Sequence, residues 1–336
     1  MTRPRAEGSR AVLGQFLLLA LAWGASFLFI KVSLVGLSPA QVVLGRMLAG
    51  AVALLAVTVV TRQRLPRDAA VWGHLAVVSV LLCVLPFSLF AWAELHVSSG
   101  LASIYNATTP LMTLLIASVA LPGERPNRAQ LVGLVLGFAG VVVVLGPWRG
   151  FSGGEGAAQA ACLLATLSYG LAFVYIRRFV SPRGLSAVPV ATVQVCLGAA
   201  VMLLLAPFTA TAAVQLSWNV VLSVAALGVA GTGLAYVWNT DVVAAWGATS
   251  ASTVTYLTPV VGVTLGIAVL GEAISWNEPV GATIVIAGIA LGQGRRIPSR
   301  QHLGPLPRRA TAAAHPAEHT EQTEPARPAE PTRPAA

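Results

Sequence analysis

The chain has 336 residues, 56% of them hydrophobic and only 10% charged. A soluble domain carries about 25% charged residues, so this chain cannot cover a globular surface with polar groups and must set much of its surface in lipid. The formal charge of +9 would suit nucleic acid in a soluble protein, but here the arginines fall between apolar stretches with no basic and aromatic surface pattern, which argues against that partner.

Arg3, Arg5 and Arg10 precede the first apolar run, as in a secretory signal. The run then continues to Ile30 without a small-residue cleavage site, longer than the roughly 7–15 residues of a typical signal core. It is expected to stay as a membrane helix. Crossing about 30 Å of hydrocarbon takes about 20 apolar residues. Segments 11–30, 40–60, 71–92, 98–121, 129–145, 156–176, 187–208, 218–239 and 248–270 meet or approach that length, and 279–293 does so when extended back through Trp276 and Asn277. The runs are continuous rather than alternating, which excludes barrel strands. The expected fold is all-α and integral to the membrane, with ten transmembrane helices. Cys83, Cys162 and Cys196 all fall inside apolar segments, outside any C-x-x-C pair, and read as packing residues. From Pro298 to Ala336 the composition turns to Pro, Ala, Glu, Thr and Arg, and this tail is expected to be disordered.

Lys and Arg set the expected orientation. With ten spans and the N-terminus inside, the cytoplasmic side holds Arg3, Arg5, Arg10, Arg62, Arg64, Arg67, Arg125, Arg128, Arg177, Arg178, Arg183, Arg295, Arg296 and Arg300, whereas the outside holds Lys31 and Arg149. Both termini are therefore expected in the cytoplasm, in a bacterial inner (plasma) membrane.

The chain also repeats itself at an offset near 148 residues. Trp23-Gly24-Ala25-Ser26-Phe27 aligns with Tyr169-Gly170-Leu171-Ala172-Phe173, and Ala102-Ser103 before Pro110 with Ala251-Ser252 before Pro259. Gly123-Glu124 aligns with Gly271-Glu272, and Gly133 and Gly140 with Gly281 and Gly288. The expected organisation is a cytoplasmic N-terminus (1–10), a first repeat (11–147), a second (156–293) and a tail (298–336). Five helices is an odd number, so the second repeat should enter the membrane from the opposite side. Inverted repeats with a midplane site between them are a recurring transporter architecture.

These residues, with Arg46, Gly100-Leu101, Thr109-Pro110, Arg125, Ala248-Thr249-Ser250 and Tyr256-Leu257-Thr258-Pro259, resemble the EamA-type branch of the drug/metabolite transporter superfamily over about residues 11–293. The resemblance implies ten helices and a central cavity lined by helices 1, 3, 4, 6, 8 and 9. It also implies transport or export of small metabolites, amino acids or drugs. Related small multidrug exporters carry a membrane-embedded glutamate in helix 1; this chain has none there, so that proton site does not carry over.

Arg46 is the one formally charged residue within the ten segments, and Gln194 stands at its repeat position. An arginine at membrane depth costs about 2.5–3.5 kcal/mol on insertion scales. It persists by snorkelling or by facing a polar site. The expected substrate-binding set is Trp23, Ser26, Arg46, Asn106, Tyr169, Tyr236, Asn239 and Tyr256, because ligand sites mix aromatic walls with a few placed polar groups. Pro110 and Pro259 are expected to kink their helices and act as hinges, with Pro110 freeing the Asn106 carbonyl. Glu94 and Asp241 read as solvated helix ends, with gate or proton sites as the sharper alternative. Glu124 and Glu272 read as loop caps. The glycine pairs 133/137 and 288/292 permit either a homodimer face or packing within the protomer.

No phosphate-cradling loop, metal cluster or nucleophile–base pair is present in the sequence, so no enzyme activity, metal or cofactor is expected. The expected partners are lipid and a small-molecule substrate, with proton or ion coupling open. The expected function is a secondary transporter, with a lipid-linked carrier flippase or a non-transport sensor or assembly factor as alternatives.

Overall fold

The computed structural model describes residues 4–121, 127–150, 153–246 and 254–293, with side chains from residue 11 onward except at 244 and 293. The tail expected to be disordered, and Glu124, lie outside the described residues. Every one of the ten apolar segments is helical where described. The helices are α1 (Pro4–Ser33), α2 (Pro39–Val60), α3 (Ala69–Ala93), α4 (Ser99–Ala120), α5 (Arg128–Leu145), α6 (Glu155–Tyr175), α7 (Ala187–Thr209), α8 (Trp218–Trp246), α9 (Val254–Leu270) and α10 (Asn277–Gln293). Eight of the described helices are long and apolar enough to cross a membrane; α9 and α10 are shorter apolar helices.

Local sequence sets the helix starts. Ser38 and Gln41 form a reciprocal capping box at α2, as Asn127 and Gln130 do at α5. Asp68, Ser98 and Ser217 accept backbone N–H groups at the starts of α3, α4 and α8. Gly271, in the left-handed region at φ 65°, stops α9.

Helices α3, α8 and α4 depart from regular α geometry within their length, and α6 runs on into a π-helical turn at Ile176–Val180. Helix α3 passes through a π-helical turn at Val80–Val84, and α8 through one at Val229–Leu234, at matching repeat positions. Helix α4 is two pieces, Ser99–Asn106 and Thr109–Ala120. Pro110 therefore sits in the first turn of a restarted helix, where a missing N–H is tolerated, rather than at a kink in a continuous one. The carbonyl it frees at Asn106 accepts from the Thr109 hydroxyl at 2.8 Å. Pro259 lies inside the unbroken α9, so the two prolines do not share one backbone role.

The packing is two-fold in pattern. Helix α1 packs on α8 and α9, as α6 packs on α3 and α4; α2 packs on α8, as α7 packs on α3. The remaining main contacts join repeat partners directly: α2 with α7, α4 with α9, and α5 with α10. Each such pair meets start to end. Gln41 at the start of α2 donates to Ala210 and Ala212 carbonyls after α7, at 3.1 and 2.7 Å. Glu272, just past α9, accepts from Ser99 and Gly100 at the start of α4. Asn277 at the start of α10 donates to the Val143 and Val144 carbonyls at the end of α5. Repeat partners are therefore antiparallel, as inverted repeats require.

The glycine pairs are used within the chain. A Cβ on Gly288 would stand 2.6 Å from the Gly133 carbonyl, and one on Gly140 would stand 2.9 Å from that of Gly281. Close backbone approach of this kind carries helix association in lipid. Gly288→Leu is expected to force α5 and α10 apart at a cost of about 1–3 kcal/mol or more, read as a lowered melting temperature in detergent.

Candidate functional site

Arg46 is the eighth residue of α2, far enough in to leave the membrane edge, and it does not snorkel out: only 7% of it is exposed. Its Nε donates to Thr232 Oγ1 at 3.0 Å, and its guanidinium carbon lies 3.7 Å from the centre of the Phe87 ring. Thr232 belongs to the π-turn of α8 and bonds back to the Leu227 carbonyl at 3.1 Å. Phe87 follows the π-turn of α3 in sequence, beyond Pro86. A π-turn shifts the register of the residues around it and often marks a functional site. Here two such turns, one from each repeat, flank a single buried cation.

The repeat counterpart of Arg46 faces the same place. Gln194 Nε2 donates to Tyr236 Oη at 3.3 Å and lies 3.2 Å from Cys83 Sγ. Cys83 Sγ lies 4.0 Å from Tyr236 Oη, and Tyr169 and Tyr236 pack on the same core as Cys83 and Phe87. Tyr169 stacks on Phe90, with ring centres 6.3 Å apart, and Phe90 meets Phe27 edge-on. The cluster thus draws on α2 and α3 from the first half and on α6, α7 and α8 from the second. It offers one cation, several polar donors and aromatic walls.

Of the expected substrate residues, Arg46, Tyr169 and Tyr236 are brought together. Ser26 is close by: it is buried, bonds to the Ala22 carbonyl at 2.8 Å, and touches the α8 π-turn at Gly231. Trp23 packs instead with Phe16, Leu19, Ala235 and Val254. Tyr256 packs against the core that holds Phe27, Phe90 and Tyr105, which Tyr169 also borders. Asn106 ends the first piece of α4, half-buried, and Asn239 is half-buried on α8. Four residues were not expected: Gln194, Cys83, Thr232 and Phe87. Only Gln194 carried a sequence signal, as the polar partner of Arg46 in the repeat. Cys83 does more than pack, since its sulfur joins the Gln194 and Tyr236 network.

A second polar cluster sits where α1, α3 and α9 end and α4 begins. The reading of Glu94 as a solvated helix end is overturned. Glu94 is fully buried and neither carboxyl oxygen has a hydrogen-bond partner. Its neighbour Lys31 spends its ammonium on the Glu94 and Val97 carbonyls, the latter at 2.8 Å. Glu272 is satisfied, accepting from Ser99 N, Ser99 Oγ and Gly100 N at 2.8, 2.9 and 3.1 Å. It caps backbone as a loop cap should, but on a helix of the other repeat. Asp241, the repeat counterpart of Glu94, is exposed and accepts from Gln15 at 2.8 Å.

A model of the family described as "EamA-like transporter family" matches this chain twice, at residues 11–146 and 157–292. The chain belongs to the EamA-like transporter family. It is 27% identical over 285 residues to the uncharacterized inner membrane transporter YedA of Escherichia coli K12, spanning 83% of this chain and 90% of that one. It is 25% identical to the uncharacterized transporter YdfC of Bacillus subtilis, across 80% and 86% of the two chains. A probable terminal-alkyne amino-acid exporter of Streptantibioticus cattleyicolor is 32% identical over 38% of this chain and 42% of its own. A solved crystal structure shares the fold, with a TM-score of 0.61 at 20% identity, covering 84% of this chain and 97% of that one. The protein is a multi-pass membrane protein of a transporter family, and its surroundings include a lipid bilayer.

Burial raises the Glu94 carboxyl well above the usual carboxylate range; Lys31 pulls the other way and Glu272 adds to the rise. The folded state therefore holds a proton that the unfolded state releases above about pH 4.3. Stability falls as pH rises from there through the raised value, because the folded state binds more protons in that window. Wild-type melting temperature is expected to drop on going from acid to alkaline buffer. Glu94→Gln, which stays neutral throughout, is expected to flatten that slope in the same detergent melts.

Proposed function

We propose that this protein is a secondary transporter of the bacterial plasma membrane that exports small metabolites, amino acids or drugs by alternating access between its inverted repeats. The observation that carries this reading is Arg46, a cation held in the chain's interior by both halves. An ionisable residue at membrane depth marks a functional site by default. A binding group touched by both halves is what alternating access requires, since each half must contribute to the site in both states.

The other features fit the same reading. Repeat partners run antiparallel, so exchanging the conformations of the two halves turns a site open at one end into a site open at the other. The relatives include proteins named as inner membrane transporters and one named as a probable amino-acid exporter. The distribution of arginines favours both termini in the cytoplasm. Arg46, Tyr169, Tyr236 and Ser26 form the binding site in this reading, and Trp23, Asn106, Asn239 and Tyr256 join its walls as the helices move. Pro110, at the break in α4, and Pro259 in α9 serve as hinges. A proton or another ion supplies the driving force. Any homodimer would have to meet on a surface other than the α5–α10 glycine face, which is occupied within the chain.

The test is transport by the purified protein in liposomes, screened against amino acids and cationic drugs with and without a pH gradient. Saturable transport of at least one class, accelerated by the gradient, is the expected outcome; its absence across the panel overturns the reading. Pro110→Ala and Pro259→Ala are expected to slow turnover several-fold with little change in substrate affinity. Unchanged rates in both variants would rule out the hinges.

A further inference from the structure

The surroundings of Arg46 narrow what the site can hold. A guanidinium has five N–H donors in a planar fork. One is used on Thr232, and one face of the plane lies over Phe87. Among the described residues its terminal nitrogens have no hydrogen-bond partner, and no carboxylate stands within ion-pair distance. Glu94, the buried carboxyl at the end of α3, has no partner on either oxygen and so makes no pair with it. The rest of the cluster offers the hydroxyls of Tyr236 and Tyr169 as donors, while the Gln194 amide hydrogens are taken up by Tyr236 and Cys83.

A buried cation without a counter-ion is costly, because the low dielectric that would strengthen a pair also magnifies a missing one. Replacing that missing partner is what a ligand can do. The terminal edge of a guanidinium matches a carboxylate in two parallel hydrogen bonds. A cationic ligand would instead meet like charge with no acid to hold it.

We propose that Arg46 is the anchor for a carboxylate, and that the solutes carried are small organic acids or amino acids rather than cationic drugs. This deepens the transport reading above and rests on it. The aromatic walls from Phe87, Tyr169 and Tyr236 suit an apolar or aromatic body behind the carboxylate. The ammonium of an amino acid has no acidic partner in the cluster, so it is not needed for binding. Opening of the site would exchange the bound carboxylate for water around the guanidinium, and the empty carrier would pay that hydration back on closing.

The test uses the full chain in liposomes and four radiolabelled probes: L-phenylalanine, hydrocinnamate, phenethylamine and tetraphenylphosphonium. Saturable transport of hydrocinnamate, with or without phenylalanine, is expected, and phenethylamine should be at least tenfold poorer. Transport of both acids identifies the carboxylate alone as the handle; transport of phenylalanine without hydrocinnamate shows that the ammonium is also required and overturns that part of the proposal. Arg46→Gln is expected to weaken apparent affinity for the acids at least tenfold, and Arg46→Lys to restore part of it. Because Arg46→Gln can lose its fold, a second readout uses wild type alone: hydrocinnamate should raise its melting temperature and phenethylamine should not. Saturable transport of either cation with none of either acid overturns the carboxylate assignment and leaves transport standing. No saturable transport of any probe overturns both.

Discussion

In hydrocarbon there is no water to complete a backbone hydrogen bond, so every irregularity in a membrane helix must be repaired by protein. The fold is organised around that constraint. The break in α4 is repaired by Thr109, which covers the Asn106 carbonyl. Within the π-turn of α3, the Leu81 carbonyl accepts from Ser168 of α6 at 2.7 Å. The π-turn in α8 is braced by Thr232. The helix ends are repaired across the repeat: Gln41, Glu272 and Asn277 each finish a helix belonging to the other half. The polar residues that a sequence reader notices in apolar segments are, for the most part, these repairs.

Arg46 differs because its repair is incomplete. Thr232 and Phe87 position the guanidinium without neutralising it. Its counterpart Gln194 is satisfied by Tyr236 and Cys83. Glu94 and Asp241 show the same kind of divergence at one pair of equivalent positions, one buried without a donor and one exposed beside Gln15. Helix order and packing keep the symmetry of the repeat, apart from the break in α4 that α9 lacks, and the side chains break it further. A carrier that only needed to rock could be symmetric; one that must recognise a particular charge at one place cannot.

The helices, their order and the inverted pairing were legible in the sequence because each rests on a local or repeated signal: segment length, capping residues, an odd helix count, glycine and proline at one offset. Arg46 was legible because a lone charge in ten apolar segments stands out. Its setting was not. The π-turns at Val80–Val84 and Val229–Leu234 leave no mark in hydropathy, and they decide which residues of α3 and α8 face the guanidinium. Cys83 and Thr232 look like ordinary small residues until that register shift is known. Among the aromatic candidates, Tyr169 and Tyr236 face the cluster, whereas Trp23 turned to a different packing cluster because a helix has several faces. Glu94 looked solvated because it ends a helix, and only the convergence of α1 and the Glu272 turn on that end encloses it.

The crossed repair of helix ends has a consequence for how the chain is made. A ribosome delivers α1 to α5 first, when the start of α4 has no Glu272 to receive its amides and the end of α5 has no Asn277 for its carbonyls. The first five helices can enter the bilayer one by one, but their polar ends stay open until the last two helices arrive more than a hundred residues later. Biogenesis is thereby tied to the completed chain, and a product truncated before α9 would carry a recognisable defect for membrane quality control.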